Sequence, residues 1–219
     1  MTLLYLFFSI ALLIIGHFIL IPRSLRYYSL EFFNFCPLPN HLRAISLRYF
    51  IYSLGGVALG ALQFPLSSLP LIALFVTLFS ATIIFDLDLE IIPDWIHWLG
   101  IPAAVIAVFL MPHESFLSRS IAIILPFGLL AFNFVCAKFN LVEGLGRGDI
   151  KLLIWLSLLA GPSIYAVFFL AVVIGLLQNM HRLLRMRSET FPFGPSIIYA
   201  FILFFTNDSL WVNSSKFHY

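Results

Sequence analysis

Charge is what this chain has least of. Of its 219 residues only 10% are Asp, Glu, Lys or Arg, and the formal net charge is +2. That excess is too small to point to nucleic acid as a partner. Cysteine is nearly absent: Cys36 and Cys136 lie far apart in different segments. No CxxC pair exists, so neither a zinc site nor a disulfide framework is indicated, and both read as inert packing or loop thiols. No HExxH run suggests a membrane zinc protease, and no GxSxG or Ser–His pairing suggests a serine mechanism.

What fills the chain instead is hydrocarbon. Apolar residues make up 62% and aromatics 17%, and the mean hydropathy is +1.04. Such values describe an integral membrane protein, here read as one membrane domain over residues 1–219 with no repeat. Apolar runs fall near residues 2–21, 49–65, 68–85, 95–112, 118–138, 150–161, 164–180 and 194–207. They predict an all-α polytopic fold of about eight transmembrane helices. Only Gly161-Pro162-Ser163 separates the sixth from the seventh. The first run, TLLYLFFSIALLIIGHFILI, lacks a basic flank and a cleavage site, so it reads as a retained helix rather than a secretory signal. Trp95, Trp98 and Trp211 suit interfacial anchors. His17 and His97 read as satisfied packing histidines, with proton carriage the sharper alternative.

The placement of basic residues orients the chain. With the amino terminus outside and eight alternating spans, ten of the twelve Lys and Arg fall in cytoplasmic connections, leaving Arg119 and Lys216 outside. Asp86–Asp94 and Asn140–Asp149 then face the cytoplasm at one membrane depth.

Carboxylates at the hydrocarbon edge are costly and mark function by default. Asp86 follows SATIIF directly, ahead of Asp88, Glu90, Pro93 and Asp94. Pro93 biases Ile92 away from helix, so 86–94 reads as an interrupted turn. Asp88, Glu90 and Asp94 read there as solvated loop acids. Asp149 closes GRGD, with Gly146 and Gly148 flanking Arg147 and Lys151 following. Glycines remove bulk, which would let a substrate backbone approach the carboxylate; the bland reading is a turn with Asp149 as helix N-cap. Two such carboxyls suit peptide hydrolysis, where one acts neutral and one ionised. Like charges in a low-dielectric site resist double ionisation, and the pair titrates as a unit.

These residues together resemble the type IV prepilin peptidases. Asp86, the spaced Ile92-Pro93-Asp94, the later Gly146-Arg147-Gly148-Asp149 with Lys151, and Phe193-Gly194-Pro195 occur in the family's order within 68–207, the expected peptidase core. The resemblance implies a GxGD-type intramembrane aspartic protease with Asp86 and Asp149 catalytic. Gly146, Gly148, Lys151, Pro93 and Asp94 would be motif support or substrate-binding. Implied partners are type IV prepilins or type II secretion pseudopilins, whose short charged leader would be cut after a Gly at the cytoplasmic face of a bacterial inner membrane. Proteolysis would need no cofactor or metal; S-adenosylmethionine is implied only if the methyltransferase activity of longer members is retained. Their first cytoplasmic loop carries zinc-type cysteines, whereas residues 22–48 are short and hold only Cys36.

Other classes remain open at this point. A presenilin-like enzyme carries Tyr-Asp where Asp86 follows Phe85. A proton- or cation-coupled transporter could use paired carboxylates, though these sit nearer mid-membrane in transporters. A non-catalytic scaffold in a pilus or secretion assembly would need neither aspartate.

Overall fold

The computed structural model describes residues 2–33, 47, 49–58, 66–110, 116–139, 144–184 and 192–215, and among them every regular element is helical. Cys36, Arg43, Arg48, Glu143, Arg185, Arg187 and Lys216 lie outside the described residues. By length and apolarity, four described stretches suffice to cross a membrane: Leu4–Tyr28, Leu69–Leu89, Leu117–Lys138 and Arg147–Met180. Tyr49–Ala58, Asp94–Leu110 and Gly194–Phe205 are shorter apolar helices. The chain separates into two compact units, Met1–Phe85 and Asp86–Tyr219.

In the first unit, α1 (Thr2–Ile15) runs through a π segment, Gly16–Leu20, into α2 (Ile21–Phe33). The cause of the π segment is Pro22, which lacks an N–H and would crowd the carbonyl four residues back. Widening the preceding turn absorbs the mismatch, and the Ile21 N–H reaches back to the Gly16 carbonyl. Helix therefore continues to Phe33, where the sequence reading placed a loop from residue 22. Nothing between Arg23 and Phe33 breaks it, since that stretch holds neither proline nor glycine.

Helix α3 (Tyr49–Ala58) and a 3₁₀ turn, Leu66–Ser68, precede α4 (Leu69–Leu89). Leu13, Val57, Leu69 and Ala73 are buried together, with Phe50, Ile72 and Val76 packed against them. A hydrogen-bonded chain crosses this unit. His17 Nδ1 lies 3.0 Å from the Leu13 carbonyl, its Nε2 2.9 Å from Ser53 Oγ, and Ser53 Oγ 2.7 Å from Ser80 Oγ. His17 is thus a buried histidine with both ring nitrogens satisfied, as the packing reading expects.

In the second unit, α5 (Asp94–Leu110), α6 (Phe116–Lys138), α7 (Arg147–Ala160), α8 (Ile164–Leu184) and α9 (Gly194–Ser215) follow the end of α4. Helices α6 and α7 are antiparallel. Near one end Arg119 Nη1 donates to the Leu158 carbonyl at 2.7 Å; near the other, Asn133 Oδ1 accepts from the Gly144 N–H at 3.1 Å. Arg119 satisfies a carbonyl in the last turn of α7, where orphan acceptors and the negative dipole end favour a cation. Gly161 adopts φ 53°, and with Pro162 it turns the chain. The start of α8 stays at the Arg119 end, where Tyr165 Oη donates to the Ile121 carbonyl at 3.0 Å. Its later turns meet α9: Gly175 lies against the Phe193 ring, and Ser196 Oγ bonds Gln178 at 2.9 Å. The run Arg147–Met180, 34 residues long, therefore goes out and returns. Helices α5 and α7 close at Gly100, where a Cβ would come within 2.9 Å of Trp155 Cε2. Cys136 is a buried free thiol.

Candidate active site

Asp86 lies in the last turn of α4, one residue beyond the predicted end of that span, and the helix itself runs on to Leu89. The helix stops only at Glu90, whose φ of 53° is left-handed and whose N–H still bonds the Asp86 carbonyl at 3.0 Å. The chain is then non-helical through Pro93, because a residue before proline is pushed out of the α region. The Pro93 carbonyl accepts the Ile96 N–H at 3.1 Å and so opens α5. Asp86 is thus helical rather than in the expected turn, while Asp88, Glu90 and Asp94 are exposed, as solvated acids should be.

Asp149 stands in the first turn of α7. The N-cap is Gly146, with no side-chain cap, so the N-cap reading of Asp149 does not hold. Both aspartates are buried, Asp86 at 5% and Asp149 at 9% exposure, and they lie within electrostatic reach of one another. Asp86 Oδ2 accepts the backbone N–H of Gly194 at 2.7 Å, from the first turn of α9. A helix N-terminus has orphan donors and a positive dipole end, so it suits a carboxylate. Asp149 Oδ1 is buried with no hydrogen-bond partner among the described residues.

The flanking residues gather around this pair. A Cβ on Gly148 would meet Ile92 Cβ at 3.1 Å, and one on Gly146 would meet Asp149 Oδ2 at 3.0 Å. The bulk these glycines omit leaves room for the protein's own Ile92 and the Asp149 carboxyl. Pro93 is buried. Asp94 and Lys151 form an exposed ion pair that ties the start of α5 to α7, and the Lys151 ammonium holds the Asp94 carboxyl below its ordinary value. His97 is buried, as a packing histidine should be, but neither ring nitrogen has a hydrogen-bond partner among the described residues. Among the described residues no group of three or more His, Cys, Asp or Glu could hold a metal ion.

Two contributors escaped the sequence reading. Gly194 was visible only as part of a motif, not as a donor. Asn133, a lone amide in the apolar run LLAFNFVCAK, was visible as a polar residue in a membrane helix.

Apolar helices that hold two mutually interacting carboxyls, one preceded by GRG, define a membrane-embedded protein of the GxGD pattern. Residues 72–179 match the type IV leader peptidase family, and the chain belongs to that family. Two curated proteins are similar to it. One is the prepilin leader peptidase/N-methyltransferase of Neisseria gonorrhoeae, 31% identical over 184 residues, covering 76% of this chain and 60% of that protein. The other is its counterpart from Dichelobacter nodosus, 32% identical over 169 residues, covering 72% and 57% respectively. The chain thus spans about 60% of the length of the curated relatives it matches. No solved structure matches it.

Proposed function

We propose that this protein is a prepilin leader peptidase in which Asp86 and Asp149 form the hydrolytic pair. The observation that carries the reading is the burial of two carboxyls, remote in sequence, within electrostatic reach at one end of the second unit. The family match, which includes both, supports it. One carboxylate takes a proton from the attacking water while the other, protonated, donates to the scissile carbonyl oxygen. As the tetrahedral gem-diol collapses and the C–N bond breaks, the carboxyl that received the water proton gives it to the leaving amine, while the other carboxylate takes back a proton from a gem-diol hydroxyl as the new C=O forms.

The substrate class follows from the relatives' names: prepilins, with pseudopilins of type II secretion as the related class. Cleavage would fall after a Gly, where a short charged leader meets a hydrophobic helix. An inner-membrane location with the pair at the cytoplasmic face agrees with the basic-residue partition, and residues 68–207 would form the peptidase core. The methyl-transfer half of the relatives' name attaches to no residue of the site described above. The transporter reading is the weaker one, because both carboxyls sit in terminal turns of their helices rather than at mid-helix.

Asp86→Asn and Asp149→Asn should each leave prepilin unprocessed in membranes while inserting normally. Normal processing by either variant would remove that residue from the pair.

A further inference from the structure

We propose that Asn133 is a positioning residue, a latch on α6 that fixes the Gly144–Gly146 segment and thereby the place of Asp149; this rests on the peptidase reading above. Asn133 is buried at 6% exposure in an otherwise apolar helix face, where an unsatisfied amide would be costly. It spends both ends of its amide on one short stretch of backbone. Oδ1 accepts from the Gly144 N–H at 3.1 Å and the Leu145 N–H at 3.4 Å, while Nδ2 donates to the Leu145 carbonyl. The side chain pairs with Leu145 much as a neighbouring strand would. A second contact seats the same stretch: a Cβ on Gly144 would meet Phe132 Cε1 at 2.9 Å.

What this stretch controls is the start of α7. Gly146 is its N-cap, and the Gly146 carbonyl accepts the Ile150 N–H at 3.1 Å, closing the turn that bears Asp149. Asp149 Oδ1 has no hydrogen-bond partner among the described residues to hold it from outside. Its position is therefore inherited from the backbone of that first turn, and the turn is anchored to α6 through Asn133. A misplacement of about 1 Å at a reacting group can cost on the order of 100-fold in rate.

The test compares Asn133→Leu, Asn133→Asp and Asp149→Asn in the full chain, reconstituted in liposomes with a prepilin and assayed for kcat and KM. Leu removes all three bonds, whereas Asp keeps the acceptor for the two N–H groups and replaces the donor to the Leu145 carbonyl with a charged acceptor. Expected are a kcat loss of about 30-fold or more for Leu and about 3- to 10-fold for Asp, with KM within about threefold in both. Graded loss in kcat alone is what a merely stabilising side chain would not give. If Asn133→Leu fails to insert, Asn133→Asp carries the test alone. Wild-type kcat in an inserted Asn133 variant, or a loss borne by KM, overturns the latch while inactive Asp149→Asn leaves the peptidase reading standing. Active Asp149→Asn overturns the reading itself, and the latch with it.

Discussion

At the scale of single residues, the exposed acids divide from the buried ones, and the division is testable. Asp88→Asn and Glu90→Gln should keep substantial leader cleavage, measured as processed pilin in membranes, because both side chains are exposed and stand outside the buried pair. Asp94 differs by its ion pair with Lys151. Because Lys151 lowers the Asp94 value, the stability linked to the pair is present above Asp94's unfolded-state value and fades as pH falls through the lowered folded value. Both groups are largely exposed, so the effect is screened and small. Lys151→Met should return Asp94 towards its ordinary value in an NMR titration; an unmoved titration would show that the pairing does not set it. The two buried aspartates were legible in the sequence because charge in so apolar a chain is conspicuous and the spaced motifs single them out. Gly194's contribution was not, since a backbone N–H has no residue signature. The neighbours of Gly146 and Gly148 were not legible for a related reason: what lies beside each glycine is Ile92 or the Asp149 carboxyl, and spacing reveals neither.

At the scale of elements, the apolar runs located the helices and missed their ends. A run marks where side chains prefer hydrocarbon, whereas a helix ends where backbone geometry fails. α4 therefore passes its last apolar residues and stops at the left-handed Glu90, and the first helix passes Pro22 by way of a π turn. The break at Gly161 is the sharpest case, with φ 53° and ψ −145°, a region essentially reserved for glycine. Gly161→Ala should destabilise the protein by about 1–3 kcal/mol, read as a lowered thermal midpoint in detergent. Gly55→Ala is the control: it lies within α3, with nothing within 4 Å of a new Cβ, and should be neutral or slightly stabilising. Equal midpoints for the two variants would show that the conformation at Gly161 stores no penalty.

At the scale of the whole molecule, sidedness is the property that peptidase action most requires. Reporter fusions after residues 90 and 145 should both report cytoplasm, and fusions near residue 114 and at the carboxyl terminus the opposite side. The grounds are the ten-to-two partition of basic residues and the return of the chain at Gly161–Ser163. Residues 90 and 145 on opposite faces would defeat both the orientation and the shared site. Proteolysis should also survive a strong chelator, since in the proposed mechanism the carboxyl pair itself activates water; loss of cleavage restored by zinc would overturn that mechanism. The contact between Asp86 and Gly194, 108 residues apart, adds a dimension of time. A ribosome makes the first carboxyl long before it makes the amide that receives it, so every nascent intermediate lacks a finished centre. Under the peptidase reading, the enzyme stays inert during its own synthesis until α9 begins, and cannot cut neighbouring chains at the membrane before Gly194 is in place.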